Sequence, residues 1–155
     1  VKAQLIAVSD RSPGWIEEGY ADYVGRLRGR FSLEYRVLRL AARGKGRSDQ
    51  EARRDESQRL LAAVPAGGWR IALDSRGQVW SSEQLARQLS RWQLESRLPC
   101  FLIGGPDGLL DEDRDRCEQC WSLGAMTLPH ALVRVLIAEQ LYRAHCILDG
   151  HPYHR

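Results

Sequence analysis

The regular alternation of short apolar runs with helical repeats limits this chain to very few architectures. Residues 2–9 alternate loosely and end in Ser9-Asp10, a first strand. Phe31–Leu40 alternates more strictly, with Leu33, Tyr35 and Val37 set against Glu34 and Arg36. Trp69–Asp74, Leu98–Ile103 and Trp121–Leu128 are three further apolar runs, the first closed by a turn at Ser75-Arg76-Gly77. Between the runs lie helical patterns. Ile16, Tyr20, Tyr23, Val24 and Leu27 predict a helix over 13–28, with Ser12 as its cap and Pro13 as its first residue. Ser48 and Glu51 form a capping box for a helix over 49–64, and Ser81 and Gln84 repeat the pattern ahead of Leu85, Leu89 and Trp92. Asp111 caps a charged helix to Gln119, and Leu132, Val133, Leu136, Ile137, Leu141 and Ala144 trace a long one from His130 to Ile147. Strands that alternate with helices throughout predict an α/β fold, a mostly parallel sheet flanked by helices on both faces.

Size and composition add bounds. A length of 155 residues predicts a single domain over 1–155, and 43% apolar with 28% charged residues supports a packed core rather than disorder. No apolar run approaches the roughly 20 residues of a membrane span. The opening VKAQLIAVSD reads as a strand rather than a signal peptide, so a cytoplasmic protein is expected. A net charge of +3 permits a nucleic-acid partner. Arg26, Arg28, Arg30, Arg36, Arg39, Arg43, Lys45, Arg47, Arg53 and Arg54 crowd the first third, which makes either a solvated face or an RNA-facing surface. The loop Ala41–Asp49 is basic and glycine-bearing, fit to grip phosphate or simply to be a surface loop. Cys117 and Cys120 form a CxxC, but it falls in a stretch that reads as helix, DEDRDRCEQC (Asp111–Cys120), and no second ligand pair accompanies it. Reduced thiols and no metal are expected.

Phe101–Gly108 and Trp121–His130 are both rich in small residues, and small residues let backbone approach a flat ligand closely. In open α/β sheets ligands sit beyond the carboxyl ends of strands. Leu73-Asp74, Gly104-Gly105 and Gly124–Pro129 mark three such ends. Neither GxGxxG nor a GK[ST] loop is present, so phosphate cradling is poorly supported. Two readings stay open: a ligand held around an adenine and a ribose by backbone groups, or glycines that only make tight turns.

Three blocks carry a family resemblance: LIGGPDGL (Leu102–Leu109), SLGAMTLPHALVRVLIAEQLYRAHCI (Ser122–Ile147) and the terminal HPYHR. In order and spacing the chain resembles the SPOUT methyltransferases, in particular the small RlmH-type branch. That branch methylates N3 of a pseudouridine in large-subunit (23S) ribosomal RNA. The resemblance covers the whole chain. It implies a SPOUT fold with a C-terminal trefoil knot, an otherwise rare topology. It also implies S-adenosyl-L-methionine as cofactor, a homodimer with the long helix near its interface, and a substrate that is ribosomal RNA in the assembled 70S ribosome. The matching cofactor-binding residues are Leu73, Gly104, Gly105, Leu123, Gly124, Ala125, Met126, Thr127, Leu128 and Pro129. Each active site would join the cofactor of one subunit to residues of the other.

Methyl transfer from a sulfonium releases a neutral thioether, so it asks for alignment and dryness and for no metal. The difficulty lies in the nucleophile, because a ring imide nitrogen is protonated at neutral pH. A base must remove that proton, or positive charge must stabilise the anion. Arg143, Tyr153 and His154 are the catalytic candidates, with His151 as a further base or stacking ring. Glu139 lies four residues before Arg143, so an intrahelical ion pair competes for both. His130 is open to several roles. Rival readings are a catalytically silent RNA- or ribosome-binding factor on the same fold, and a flavodoxin-like nucleotide-binding domain.

Overall fold

Strand β1 (Lys2–Val8) pairs in parallel with β2 (Ser32–Leu38) on one side and β4 (Leu98–Ile103) on the other. Its two faces enter two different cores. Ala3, Leu5 and Ala7 pack into one cluster, Ile6 and Val8 into the other. A strand buried on both faces must be apolar nearly throughout, which accounts for the run LIAV. β4 also pairs with β3 (Gly68–Val79), and β3 with β5 (Gln119–Ser122). Among the described residues the sheet order is β2-β1-β4-β3-β5, with every pairing parallel. This computed structural model describes residues 2–27, 29, 31–44, 46 and 48–154.

Helices α1 (Gly14–Arg26), α3 (Ser82–Leu94) and α5 (His130–Asp149) cover one face, and α2 (Asp49–Ala62) covers the other. The short α4 (Asp111–Asp115) joins α2 through a buried hydrogen bond of 2.6 Å from the Ser57 hydroxyl to Asp113. The expected α/β architecture with helices on both faces is therefore present. Arg134 locks α5 onto α1: it is buried, sits 3.6 Å and 4.1 Å over the rings of Tyr35 and Tyr20, and pairs bidentately with Glu17 at 2.8 and 3.0 Å.

Four local expectations need correction. The first helix begins at Gly14 with Pro13 as its cap, and no side chain bonds its amide end. Ser75-Arg76-Gly77 is not a turn that ends β3, because the strand runs on to Val79 through an irregularity. The helix expected over 111–119 stops at Asp115, and Leu110 rather than Asp111 is its cap. Gln119 and Cys120 consequently belong to β5, and Cys117 precedes it, so the CxxC is not on a helix. All four cysteines are free thiols, and burial pushes Cys117 up to about 11.

Tertiary demand decides the fate of Gln119. Its Oε1 accepts from the indole nitrogens of Trp69 (2.7 Å) and Trp92 (3.1 Å), and its Nε2 donates to Gln88 (2.9 Å). Trp92 is fully buried and meets Phe101 edge-on at 5.8 Å, and Phe101 in turn packs on Trp121 at 5.9 Å. Gln119→Leu leaves both indole donors unpaired. We expect it to cost about 1–3 kcal/mol, seen as a lower thermal midpoint; an unchanged midpoint would show that Gln119 is not the acceptor holding this cluster.

Candidate functional site

The carboxyl ends of β3, β4 and β5 meet around one cavity of about 440 Å³. Leu73 from β3, Gly104 and Gly105 from beyond β4, and Leu123, Gly124, Met126, Thr127 and Leu128 from beyond β5 all line it. Of the residues expected at a cofactor site, Ala125 and Pro129 are not part of the lining. The segment 123–129 is loop, since β5 ends at Ser122 and α5 begins at His130. Ser122 shapes its start, accepting from the Gly124 amide and donating to the Gly124 carbonyl, both at 3.1 Å.

The lining also contains Ser75 and Arg76, which sequence reasoning did not nominate. β3 leaves register at Leu73 and re-enters it at Gln78, and both residues face Trp121 of β5. The intervening Asp74–Gly77 is pushed out over the strand ends, so Asp74, Ser75 and Arg76 reach the cavity. Asp74 accepts from the Arg76 amide (2.9 Å), Nε (3.0 Å) and the terminal guanidinium nitrogen (3.0 Å). These bonds hold its carboxyl below the usual carboxylate range against the opposing effect of burial. His130 lines the same cavity, and burial lowers its imidazole while the charge of Glu56 acts against that shift.

Each glycine of the β4 loop has a steric reason of its own. A Cβ at Gly104 would sit 2.8 Å from the backbone of Gly108, and one at Gly105 would strike the carboxylate of Glu56. The tight-turn reading thus holds for Gly104, whereas Gly105 is required by the approach of Glu56 from α2, and both also line the cavity. Ile103, Leu123, Leu128 and Val133 supply apolar wall, while Ser75, Arg76, Thr127 and His130 supply polar groups and Asp74 the single carboxylate. A cavity of this size and lining fits a small ligand with an aromatic and a hydroxylated part.

Arg143, Tyr153 and His154 lie elsewhere. Gly150 ends α5 in the left-handed conformation at φ +70°, and the His151 amide returns to the Cys146 carbonyl at 2.9 Å. This folds the 3-10 turn Pro152–His154 back along the helix. The Tyr153 hydroxyl then donates to Glu139 Oε1 at 3.0 Å, and the same oxygen accepts from Arg143 at 2.7 and 3.0 Å. Tyr153 also packs edge-on against Tyr142 at 4.6 Å. The ion pair expected between Glu139 and Arg143 is therefore present, and the tail is docked rather than frayed. Burial, followed by the hydrogen bond to Glu139, raises the Tyr153 phenol above its ordinary range, so it acts as a donor. His154 is exposed. Helical rise of about 1.5 Å per residue puts Arg143 about 20 Å from His130 along α5.

The basic first third is partly committed to structure. Arg26 pairs with Asp22 at 2.9 Å, Arg36 donates to the Ala63 carbonyl at 3.2 Å, and Arg43 is locked between Glu56 and Asp107. The guanidinium groups of Arg39 and Arg54 make no ion pair or hydrogen bond among the described residues. Arg28, Arg30, Lys45, Arg47 and the terminal Arg155 lie outside the described residues. Among the described residues no group of His, Cys, Asp and Glu is arranged to hold a metal ion, and no helix is long and apolar enough to cross a membrane.

Comparison with known proteins bears directly on this geometry. A family model described as "Predicted SPOUT methyltransferase" matches residues 1–154. The chain is 46% identical over 155 residues to ribosomal RNA large subunit methyltransferase H of Pseudomonas aeruginosa (strain UCBPP-PA14), covering 100% of both. It is also 46% identical to the protein of the same name from Xanthomonas axonopodis pv. citri, covering 100% of this chain and 99% of that one. Among solved structures, a probable methylase family protein from Haemophilus influenzae Rd KW20 superposes with a TM-score of 0.54 at 12% identity, over 96% of this chain and 68% of that one. A probable methyltransferase from Bordetella pertussis Tohama I does so with a TM-score of 0.51 at 15% identity, over 92% and 95%. These two share the fold. The sequence match spans nearly every residue, including all three strand-end loops that build the cavity, and on it the chain belongs to the SPOUT methyltransferase family.

Proposed function

We propose that this chain, acting as one domain over its 155 residues, is an S-adenosylmethionine-dependent methyltransferase of large-subunit ribosomal RNA. Its target is N3 of a pseudouridine, presented by the assembled ribosome in the cytoplasm, and its working form is a homodimer. The observation that carries this reading is the meeting of three strand-end loops at one cavity lined by both apolar and polar groups. The full-length likeness to large subunit methyltransferases supports the class of substrate. The family's C-terminal knot belongs to the same reading, with the excursion of β3 and the loop after β5 as the segments it would involve.

Bound in this cavity, S-adenosylmethionine would supply an electrophilic methyl group. Leu73, Gly104, Gly105, Leu123, Gly124, Met126, Thr127 and Leu128 would hold it. Ala125 and Pro129 act through the course of their loop. Arg143 stabilises the pyrimidine anion formed when N3 loses its proton, with its guanidinium aimed by Glu139 and Tyr153. His154, exposed at the end of the docked turn, is left free to take that proton. A span of about 15 Å along α5, from Val133 at the cavity to Arg143, separates these groups from the cavity of their own chain. A second copy must bring them to it, which is the argument for the dimer.

Two measurements test the reading. Titration calorimetry should show S-adenosylmethionine binding at one site per chain. Nucleoside analysis of 23S ribosomal RNA should find an N3-methylpseudouridine that disappears when the gene is deleted and returns with it. Absence of binding at millimolar cofactor sinks the proposal. Binding without any change in the mark moves the substrate elsewhere.

A further inference from the structure

Glu56 lies on α2, does not line the cavity, and is only 1% exposed. Taking a carboxylate out of water costs several kcal/mol unless it is fully partnered. Here it accepts from the Ala41 amide (2.9 Å) and from both terminal nitrogens of Arg43 (2.8 Å each). Arg43 closes the arrangement by donating to Asp107 at 3.0 Å and to the Ala41 carbonyl at 3.2 Å. These hydrogen bonds, first to Glu56 and then to Asp107, raise the guanidinium above its ordinary range.

The far side of Glu56 faces the cofactor loop. Its Oε1 occupies the space where a Cβ on Gly105 would be, so the carboxylate rests directly behind the Gly105 backbone. Gly105 and Gly108 form the tight turn of that loop through a 2.9 Å bond, and Asp107 lies between them. One buried pair thus fixes three segments: the root of the basic loop after Leu40, helix α2, and the turn that forms one wall of the cavity.

We infer that Glu56 and Arg43 are positioning residues for the cofactor, acting through Gly105 and Asp107 to set the wall of the site. The inference rests on the function proposed above for its ligand, but not for its mechanics. Arg43 is not a mobile phosphate grip. Its withdrawal to an RNA phosphate would strand Glu56 and release the wall, so it stays in place during turnover. Lysine at this position keeps the charge but cannot form the bidentate pair and the Asp107 bond together.

The test uses the full-length chain and the variants Arg43→Lys and Arg43→Gln/Glu56→Gln. Calorimetry with S-adenosylmethionine should show Arg43→Lys weakened roughly tenfold or more, while kcat at saturating cofactor stays near wild type. The doubly neutral pair, which leaves no stranded charge, should bind better than Arg43→Gln alone. Hydrogen exchange on the ligand-free protein should show faster exchange at the amides of 105–108 in Arg43→Lys, with β1 and β4 unchanged. Exchange confined to 41–43, or undiminished cofactor affinity beside wild-type exchange at 105–108, overturns the inference. If the wild type binds no S-adenosylmethionine, the proposed function falls. Faster exchange at 105–108 would still sustain the mechanical link, and unchanged exchange there would reject it.

Discussion

Gly105→Val is expected to abolish S-adenosylmethionine binding up to millimolar ligand and to lower the thermal midpoint at the same time. From sequence alone only the first effect is anticipated, because a branched side chain at a strand-end glycine blocks a cavity. The structure adds the second. A Cβ at this position overlaps Glu56 Oε1, so valine must displace a buried carboxylate from its partners as well as intrude on the site. Breaking a buried pair of this kind costs about 3–5 kcal/mol when one charge is left alone. Melting followed by calorimetry below the new midpoint separates the two effects. Full cofactor affinity in a folded variant would remove this loop from the site.

The second large effect is expected from Arg143→Ala, which should lower methyl transfer by roughly a hundredfold or more and leave cofactor affinity unchanged. It removes the positive charge aimed by Glu139 and Tyr153 without touching the cavity. The proposed dimer gives a sharper form of this test. Gly105→Val lacks the cofactor half of the site and Arg143→Ala lacks the other. In a reassorted equal mixture, half of the dimers are mixed and each mixed dimer holds one intact site, so about a quarter of wild-type activity should return. No recovery from a mixture shown to have exchanged subunits would place both halves of the site within one chain.

The alternation of strands and helices was legible because period-2 and period-3.6 patterns are local. So was most of the cavity, because ligands in parallel sheets collect at strand ends. What escaped was decided by distant partners. Ser75-Arg76-Gly77 has turn composition, yet it is held as an excursion of β3 by Asp74 and by the register of β5. CEQC shows no periodicity, and Gln119 joins a strand because two indoles need its oxygen. Glu56 is one of seven charged residues of a helix and reads as solvated, though its neighbour in space is a glycine some fifty residues later. The LVRVL block contains Arg134 without revealing that the arginine is buried over two tyrosines. The Arg143–Tyr153 cluster was legible as residue types, and its distance from the cavity was not.

The parallel order of the sheet also governs when the site can come into being. β1 waits almost a hundred residues for β4, and β3 waits for β5, which supplies the last strand end of the cavity. During synthesis at about 5–20 residues per second, none of the cavity can close until Trp121 and the loop after it have left the exit tunnel. The chain therefore becomes able to hold a ligand only after β5 and the loop that follows it have emerged. A truncated nascent product that stops before β5 carries the basic first third without a site, and cannot sequester cofactor.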